Sequence, residues 1–180
     1  DGYLKETQSV EKFVVNLSTS LALEKLAETY KSSVIRSAVG EINVVNKMNE
    51  VKSKMGGEGN GGVILRESHL GRDSMIAATM ILNRMSLSSS TLGEIYASLP
   101  QFVIVKDKIS IQGDIDNIIK KVTLLFDNST IDTTDGIKFT WDDRWVHLRK
   151  SNTEPIMRIY AEAPNHKQAL ELVARIKKIL

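Results

Sequence analysis

The 180-residue chain contains no cysteine. Disulfide scaffolds, cysteine nucleophiles and thiolate-bound zinc are therefore excluded. It also lacks an excess of charge of either sign: 24 basic residues face 22 acidic ones, for a net charge of +2. That balance gives no electrostatic case for nucleic acid or an anionic membrane. No apolar run approaches the roughly 20 residues a bilayer-spanning helix needs, and no signal peptide is visible. A cytoplasmic protein is the expectation. Histidine is scarce, and none of His69, His147 and His166 lies near a serine with an orienting carboxylate, so no catalytic triad is visible. All three read as structural. Internal repeats and low-complexity tracts are missing as well. What is present is an ordinary 42% of hydrophobic residues, enough for a packed core. The first residue is Asp1 rather than an initiator Met, which points to a fragment.

Hydrophobic periodicity divides the chain in two. From residue 10 to 85 strands alternate with helices. A strand is expected over 10–16 and a helix over 21–30, capped by the hydroxyls of residues 18–20, with Leu23, Leu26 and Ala27 inward. A strand follows at 33–37, then a helix over 41–55 with Ile42, Val45 and Met48 on one face. A loop at 56–62, a strand at 63–65 and a helix over 74–85 complete this part. Asp73 caps that last helix, and Met75, Ile76, Thr79, Met80 and Leu82 form its apolar side. The alternation predicts an α/β domain with a largely parallel sheet. The serine-rich run SLSSS at 86–90 marks the expected boundary, giving domains 1–88 and 89–180. Beyond it, Thr91 and Glu94 form a capping box. A strand or hairpin at 102–112, an amphipathic helix at 114–126, turns at Asp135-Gly136 and Asp142-Asp143, and a last helix capped by Asn165 predict a small α+β domain.

Two segments carry chemistry. RKSNTEPIMR, residues 149–158, lies between two strand-like runs and gathers Arg149, Ser151, Asn152, Thr153 and Arg158 around one loop. Planar guanidinium forks, hydroxyls and exposed N–H groups suit a phosphate ester. Lys150 sits midway and is assigned to solvent. GGEGNGG, residues 56–62, holds Glu58 and Asn60 on a glycine-rich backbone that can approach a ligand closely. A carboxylate and an amide suit the paired hydroxyls of a hexose. Gly57, Gly59 and Gly62 also satisfy GxGxxG spacing, but a dinucleotide loop needs a strand before it and a helix opening from it. Here a helix is expected before and a strand after, so that reading is rejected.

These residues carry a resemblance. RKSNTEPIMRIYAEA resembles the C-terminal phosphate-binding loop of the α-D-phosphohexomutases, the family of phosphoglucomutase, phosphomannomutase and phosphoglucosamine mutase. GGEGNGG resembles the sugar-binding loop of that family's third domain, and SAVGEINVVNKM, residues 37–48, is similar to the segment before it. The three stand in the family's order and the likeness covers essentially the whole chain. It implies an α/β plus α+β architecture: a three-layer α/β/α domain followed by a small TATA-binding-protein-like domain. It also implies a hexose phosphate as ligand, with Glu58, Asn60 and Glu41 on the sugar and Arg149, Ser151, Asn152, Thr153 and Arg158 on the phosphate. Asn60 replaces the family's usual Ser. Glu41 stands where many members have His in VGH and phosphoglucosamine mutases resemble VGD. An acidic residue there favours a sugar with an ammonium at C2, and so phosphoglucosamine mutase over phosphomannomutase/phosphoglucomutase.

The resemblance further implies phosphoryl transfer through a phosphoserine, with Mg²⁺ and a bisphosphorylated sugar activator in the parent enzyme. Neither the serine loop nor the metal loop of the family occurs in this sequence. No catalytic or metal residue is therefore assigned, no cofactor is expected on the fragment, and the chain alone is expected to be inactive. Its expected partners are the phosphosugar and the missing N-terminal domains, without nucleic acid or membrane. A non-enzymatic α+β module binding protein or nucleic acid is the alternative from another class.

Overall fold

The computed structural model describes residues 1–110, 115–151 and 154–179, with the backbone alone at 115–117. The chain forms two compact units, Asp1–Gln101 and Phe102–Leu180. This division falls later than the boundary expected at 88–89. The reason is local: α4, Ser74–Ser88, absorbs the first half of the serine run and ends with Ser89 in the left-handed conformation. Helix α5, Leu92–Ala97, then follows within the first unit.

The first unit is built on β1 (Lys12–Asn16), β2 (Ser33–Ser37), β3 (Met55–Glu58) and β4 (Gly62–Leu65), in the order β2-β1-β3-β4. The first three strands are parallel and β4 is antiparallel to β3. Side-chain alternation sends Val14 and Ile64 to one face of the sheet, where they pack with Val44 and Met48 of α3 (Glu41–Val51). It sends Phe13, Val34 and Met55 to the other face, against Leu4 of α1 (Gly2–Thr7) and Ala27 of α2 (Ala22–Thr29). The result is the expected α/β/α layering. Because α2 and α3 cross on opposite faces, the chain reverses its winding at β1. A sheet of this kind offers its ligand crevice at the carboxyl ends of the strands beside that reversal.

Three local expectations change. Helix α3 stops at Val51 because Lys52 turns left-handed (φ 57°), and Met55 already belongs to β3. Its buried face is Val44 and Met48, and Ile42 is exposed. In α4 Ile76, Ala77, Met80 and Arg84 are half-buried, so Ile76 and Met80 face inward as expected, while Met75, Thr79 and Leu82 are exposed. Asp73 does cap α4, accepting from the backbone N–H of Met75 (2.7 Å) and Ile76 (3.1 Å). The capping box of Thr91 and Glu94 forms as expected.

The second unit is a five-stranded antiparallel sheet, β5-β9-β8-β7-β6, made of β5 (Val103–Ser110), β6 (Thr130–Asp132), β7 (Ile137–Thr140), β8 (Trp145–Lys150) and β9 (Ile156–Ala163). Phe139, Val146, Leu148, Ile159 and Ala161 share one face and pack on Val122, of α6 (Ile115–Thr123), and on Leu172, Val173 and Ile176 of α7 (His166–Lys177). This is the small α+β domain. The other face carries Trp145, His147, Arg149, Arg158, Tyr160 and Glu162, by the period-two alternation.

Candidate functional site

In the first unit the polar residues converge at the carboxyl ends of the parallel strands. Asn16 closes β1, Glu58 closes β3, and Gly40 with Glu41 opens α3. Glu58 is held from three sides. Its Oε1 accepts from Asn16 Nδ2 (2.9 Å) and from the Gly40 backbone N–H (3.1 Å). Its Oε2 lies 3.2 Å from Nη1 of Arg72. Only 6% of the side chain is exposed, so this is a buried carboxylate supplied with charge-assisted donors. Asn16 is itself oriented, its Oδ1 accepting from Ser18 N–H and the Thr19 hydroxyl, both at 3.0 Å.

Glu41 joins the same network. Its Oε2 accepts from Arg72 Nε at 2.6 Å and its Oε1 from the Arg72 backbone N–H at 3.2 Å. The guanidinium holds the Glu41 carboxyl below the usual range, and Glu41 followed by Glu58 holds the Arg72 guanidinium above its own. The structure brings Glu41 and Glu58 together through Arg72, a cation the sequence does not single out. Nothing distinguishes Arg72 in sequence: it is one arginine in a loop before a helix cap. Asn16 did leave a signal, a polar residue ending the apolar run FVV.

The glycine segment is a hairpin rather than a loop. Gly56 and Gly57 lie in β3, paired to Val14 and Val15. A Cβ on Gly56 would come 2.8 Å from the Val14 carbonyl oxygen, so only glycine fits beside β1. The turn itself is Gly59, Asn60 and Gly61, with Gly61 at φ 91°. Asn60 stands exposed at its tip, its Oδ1 accepting from the Gly62 N–H at 3.1 Å. Strand, tight turn and strand exclude the dinucleotide reading more firmly than the sequence did. A cavity of about 520 Å³ lies beside this sheet, lined mostly by apolar side chains such as Phe13, Met55 and Met80, with Glu58, Gly61 and Gly62 also on its wall.

In the second unit Arg149 on β8 is directly opposite Arg158 on β9. Like charges across a strand pair repel, so their juxtaposition weakens the sheet unless an anion comes between them. Arg149 Nη1 is 3.3 Å from Asp135 Oδ2, in the Asp135-Gly136 turn. Gly136, at φ 75°, lets that turn pass close over β8, where a Cβ would strike the Leu148 carbonyl. Arg158 Nη1 donates to the Tyr160 hydroxyl at 3.4 Å, and Nη2 is 3.8 Å from Glu154 Oε2, beyond hydrogen-bond distance. Among the described residues, the buried Nε of Arg158 has no acceptor. Ser151 is buried, and its N–H closes the loop onto the Ile156 carbonyl at 2.9 Å. Asn152 and Thr153 lie outside the described residues. Lys150 is exposed, and alternation along β8 turns it away from Arg149.

His147 is buried and its Nε2–H donates to the Asp135 carbonyl at 2.6 Å, a structural role. Among the described residues no three His, Cys, Asp or Glu side chains gather as a metal cluster. No described helix is long and apolar enough to cross a membrane.

Comparison with known proteins agrees with this arrangement. Residues 2–102 match the family model described as phosphoglucomutase/phosphomannomutase, alpha/beta/alpha domain III, and residues 103–179 match the C-terminal domain of the same family. A phosphoglucomutase/phosphomannomutase of Thermococcus kodakarensis is 36% identical over 93% of this chain and 37% of its own length. A phosphoglucosamine/phosphogalactosamine mutase of Sulfurisphaera tokodaii is 29% identical over 98% of this chain and 40% of its own. The crystal structure of a phosphoglucomutase/phosphomannomutase family protein from Burkholderia thailandensis superposes with a TM-score of 0.78 at 17% identity, covering 98% of this chain and 38% of that one. The chain thus spans about two fifths of the length of the relatives it matches. Two consecutive domain matches and the fold they predict establish that this chain belongs to the phosphoglucomutase/phosphomannomutase family, of which it carries the third and fourth domains.

Proposed function

We propose that this chain is the substrate-recognition half of a phosphohexomutase, which interconverts hexose 6-phosphate and hexose 1-phosphate through a phosphoserine and a bisphosphorylated sugar. The first unit recognises sugar hydroxyls through Glu58 and Asn60. The second binds the phosphate that is not being transferred, through Arg149, Ser151, Asn152, Thr153 and Arg158. The observation that carries the reading is the cross-strand pair Arg149 and Arg158, two guanidiniums on one sheet face with a buried N–H still without an acceptor among the described residues. A dianionic phosphate answers both, because each guanidinium presents several donors in a planar fork.

Glucosamine phosphate is the proposed substrate, since Glu41 offers a carboxylate beside Glu58 and phosphoglucosamine mutases are among the relatives. Phosphoryl transfer rests on positioning a nucleophile and neutralising charge, and the sequence supplies neither the serine loop nor the metal loop. The roles left to this chain are binding and orientation. It orients the ring by fixed acceptors and the phosphate by fixed donors, which is where effective molarity originates. Mg²⁺ and the bisphosphorylated activator belong to the remaining domains of the parent enzyme.

Calorimetry and a coupled mutase assay on the chain test this together. Hexose 6-phosphate should bind more tightly than inorganic phosphate, with no turnover. Binding of inorganic phosphate and sugar phosphate with equal affinity, or measurable turnover by the chain alone, would contradict the proposal.

A further inference from the structure

The side chain of Arg72 occupies the place where a cationic sugar would make its contacts. Its Nε donates to Glu41 at 2.6 Å, its backbone N–H donates to the other oxygen of the same carboxylate at 3.2 Å, and Nη1 stands 3.2 Å from Glu58. The aliphatic stem crosses the β3–β4 hairpin directly over Gly62. A Cβ there would come within 2.8 Å of Arg72 Cγ and would overlap Cδ, so the missing side chain makes the room for this placement. Gly71 plays a similar part, since a Cβ on it would lie 3.3 Å from Glu41 Oε1.

We propose that Arg72 is a specificity-determining residue, an internal counter-ion for Glu41 and Glu58 against which a C2 ammonium must compete. The inference rests on the sugar-recognition role given above to the first unit. An ammonium that enters the site meets a Glu41 carboxylate whose Oε2 is already held by the Arg72 guanidinium and whose Oε1 is held by the Arg72 backbone N–H, so it must displace or approach a like charge to gain that carboxylate. A neutral C2 hydroxyl meets no such competition: it can donate to a free lone pair while Arg72 stays in place. Arg72 therefore sets how far the site prefers an amino sugar over its neutral counterpart. Arg72 and Glu41 are both partly exposed, at 41% and 37% of their side chains, so the guanidinium has solvent into which it can swing.

The test is a set of paired dissociation constants for glucosamine 6-phosphate and glucose 6-phosphate, measured on the 180-residue chain by calorimetry at about pH 6, below the ordinary amine range. Arg72→Met should raise the affinity for the amino sugar relative to the neutral one about fivefold, the upper end for an exposed ion pair. Arg72→Lys keeps the charge and should leave the ratio near its starting value. Glu41→Gln should lower the relative affinity for the amino sugar, and should cancel the gain of Arg72→Met in the double variant. Inorganic phosphate affinity should stay the same throughout. An unchanged ratio in Arg72→Met, with both sugars still bound more tightly than phosphate, overturns the role of Arg72 and leaves the proposed function standing. Loss of the sugar contribution in the unsubstituted chain overturns both.

Discussion

Arg149 and Arg158 stand directly opposite one another on adjacent antiparallel strands, on the sheet face away from α6 and α7. Sheets avoid such pairs, because two like charges across a ladder repel. Under the proposed function, a bound phosphate offsets that repulsion. Arg149→Ala or Arg158→Ala should weaken inorganic phosphate binding by about 1.5–3 kcal/mol, the range for hydrogen bonds to charged groups. Neither change should lower the folding stability of the second unit by more than about 0.5 kcal/mol. Phosphate affinity that survives either substitution would remove that residue from the site.

Glu58 is fixed by Asn16, Gly40 and Arg72 before any ligand arrives. Glu58→Gln keeps an acceptor for Asn16 and Gly40 but gives up the charge that Arg72 faces. Discrimination among hexose phosphates should fall while inorganic phosphate binding is unchanged. Calorimetry with both ligands checks this, and an equal loss of phosphate affinity would contradict the division of roles between the two units.

Trp145 buries its indole while Nε1–H donates to Glu162 Oε2 at 2.6 Å, and Lys138 Nζ lies 4.6 Å from the ring centroid. Trp145→Phe removes that donor from a buried carboxylate. Urea denaturation should show a loss of about 1–3 kcal/mol, the penalty for depriving a buried polar group of its partner. A loss below about 0.5 kcal/mol would mean that other contacts carry Glu162 without the indole.

Burial, opposed in part by the Asp135 carbonyl, pushes the His147 imidazole below its ordinary pKa. The unfolded chain therefore takes up this proton near pH 6.5, while the folded protein resists it until lower pH. The stability His147 contributes is complete above about pH 6.5. It declines as pH falls from there to the folded pKa, and no further below it. Urea midpoints should fall as pH drops below about 6.5, beyond the earlier decline that the Asp1 amino group, lowered by burial, starts near pH 8, and His147→Asn should flatten the part below about pH 6.5. The lowered carboxylates, Asp73 and Asp132 among them, act only at more acidic pH, so they do not confuse the window. A flat profile for the unsubstituted protein through that window would count against a buried neutral His147.

Much of the fold is legible where a residue acts locally. Asp73 and Thr91 start helices because an oxygen placed before an apolar stripe satisfies the first free N–H groups, and that pattern is written in adjacent residues. The Asp135-Gly136 and Asp142-Asp143 turns are equally local, the second closed by Trp141 N–H to the Arg144 carbonyl at 2.9 Å. Gly56 and Gly57 read as loop because glycine carries no strand preference, and their strand is imposed by the neighbouring β1. The inward face of α4 is legible only in part, Ile76 and Met80 being half-buried but Met75, Thr79 and Leu82 exposed, because the helix is apolar on several sides and periodicity alone does not orient it. In the site, Glu41, Glu58, Arg149 and Arg158 were visible as motif residues. Arg72 and Asp135 were not, because each acts through a partner distant in sequence: Arg72 reaches back to Glu41, and Asp135 forward to Arg149.

Recognition divided between a sugar-reading first unit and a phosphate-binding second unit is the central claim. An amide NMR titration of the chain with inorganic phosphate, glucose 6-phosphate and glucosamine 6-phosphate tests it most directly. All three ligands should shift the amides of Arg149, Ser151 and Arg158, while only the two sugars should shift those of Glu58, Gly59 and Asn60. Shifts at the glycine hairpin with phosphate alone, or silence at both places with every ligand, would contradict the account.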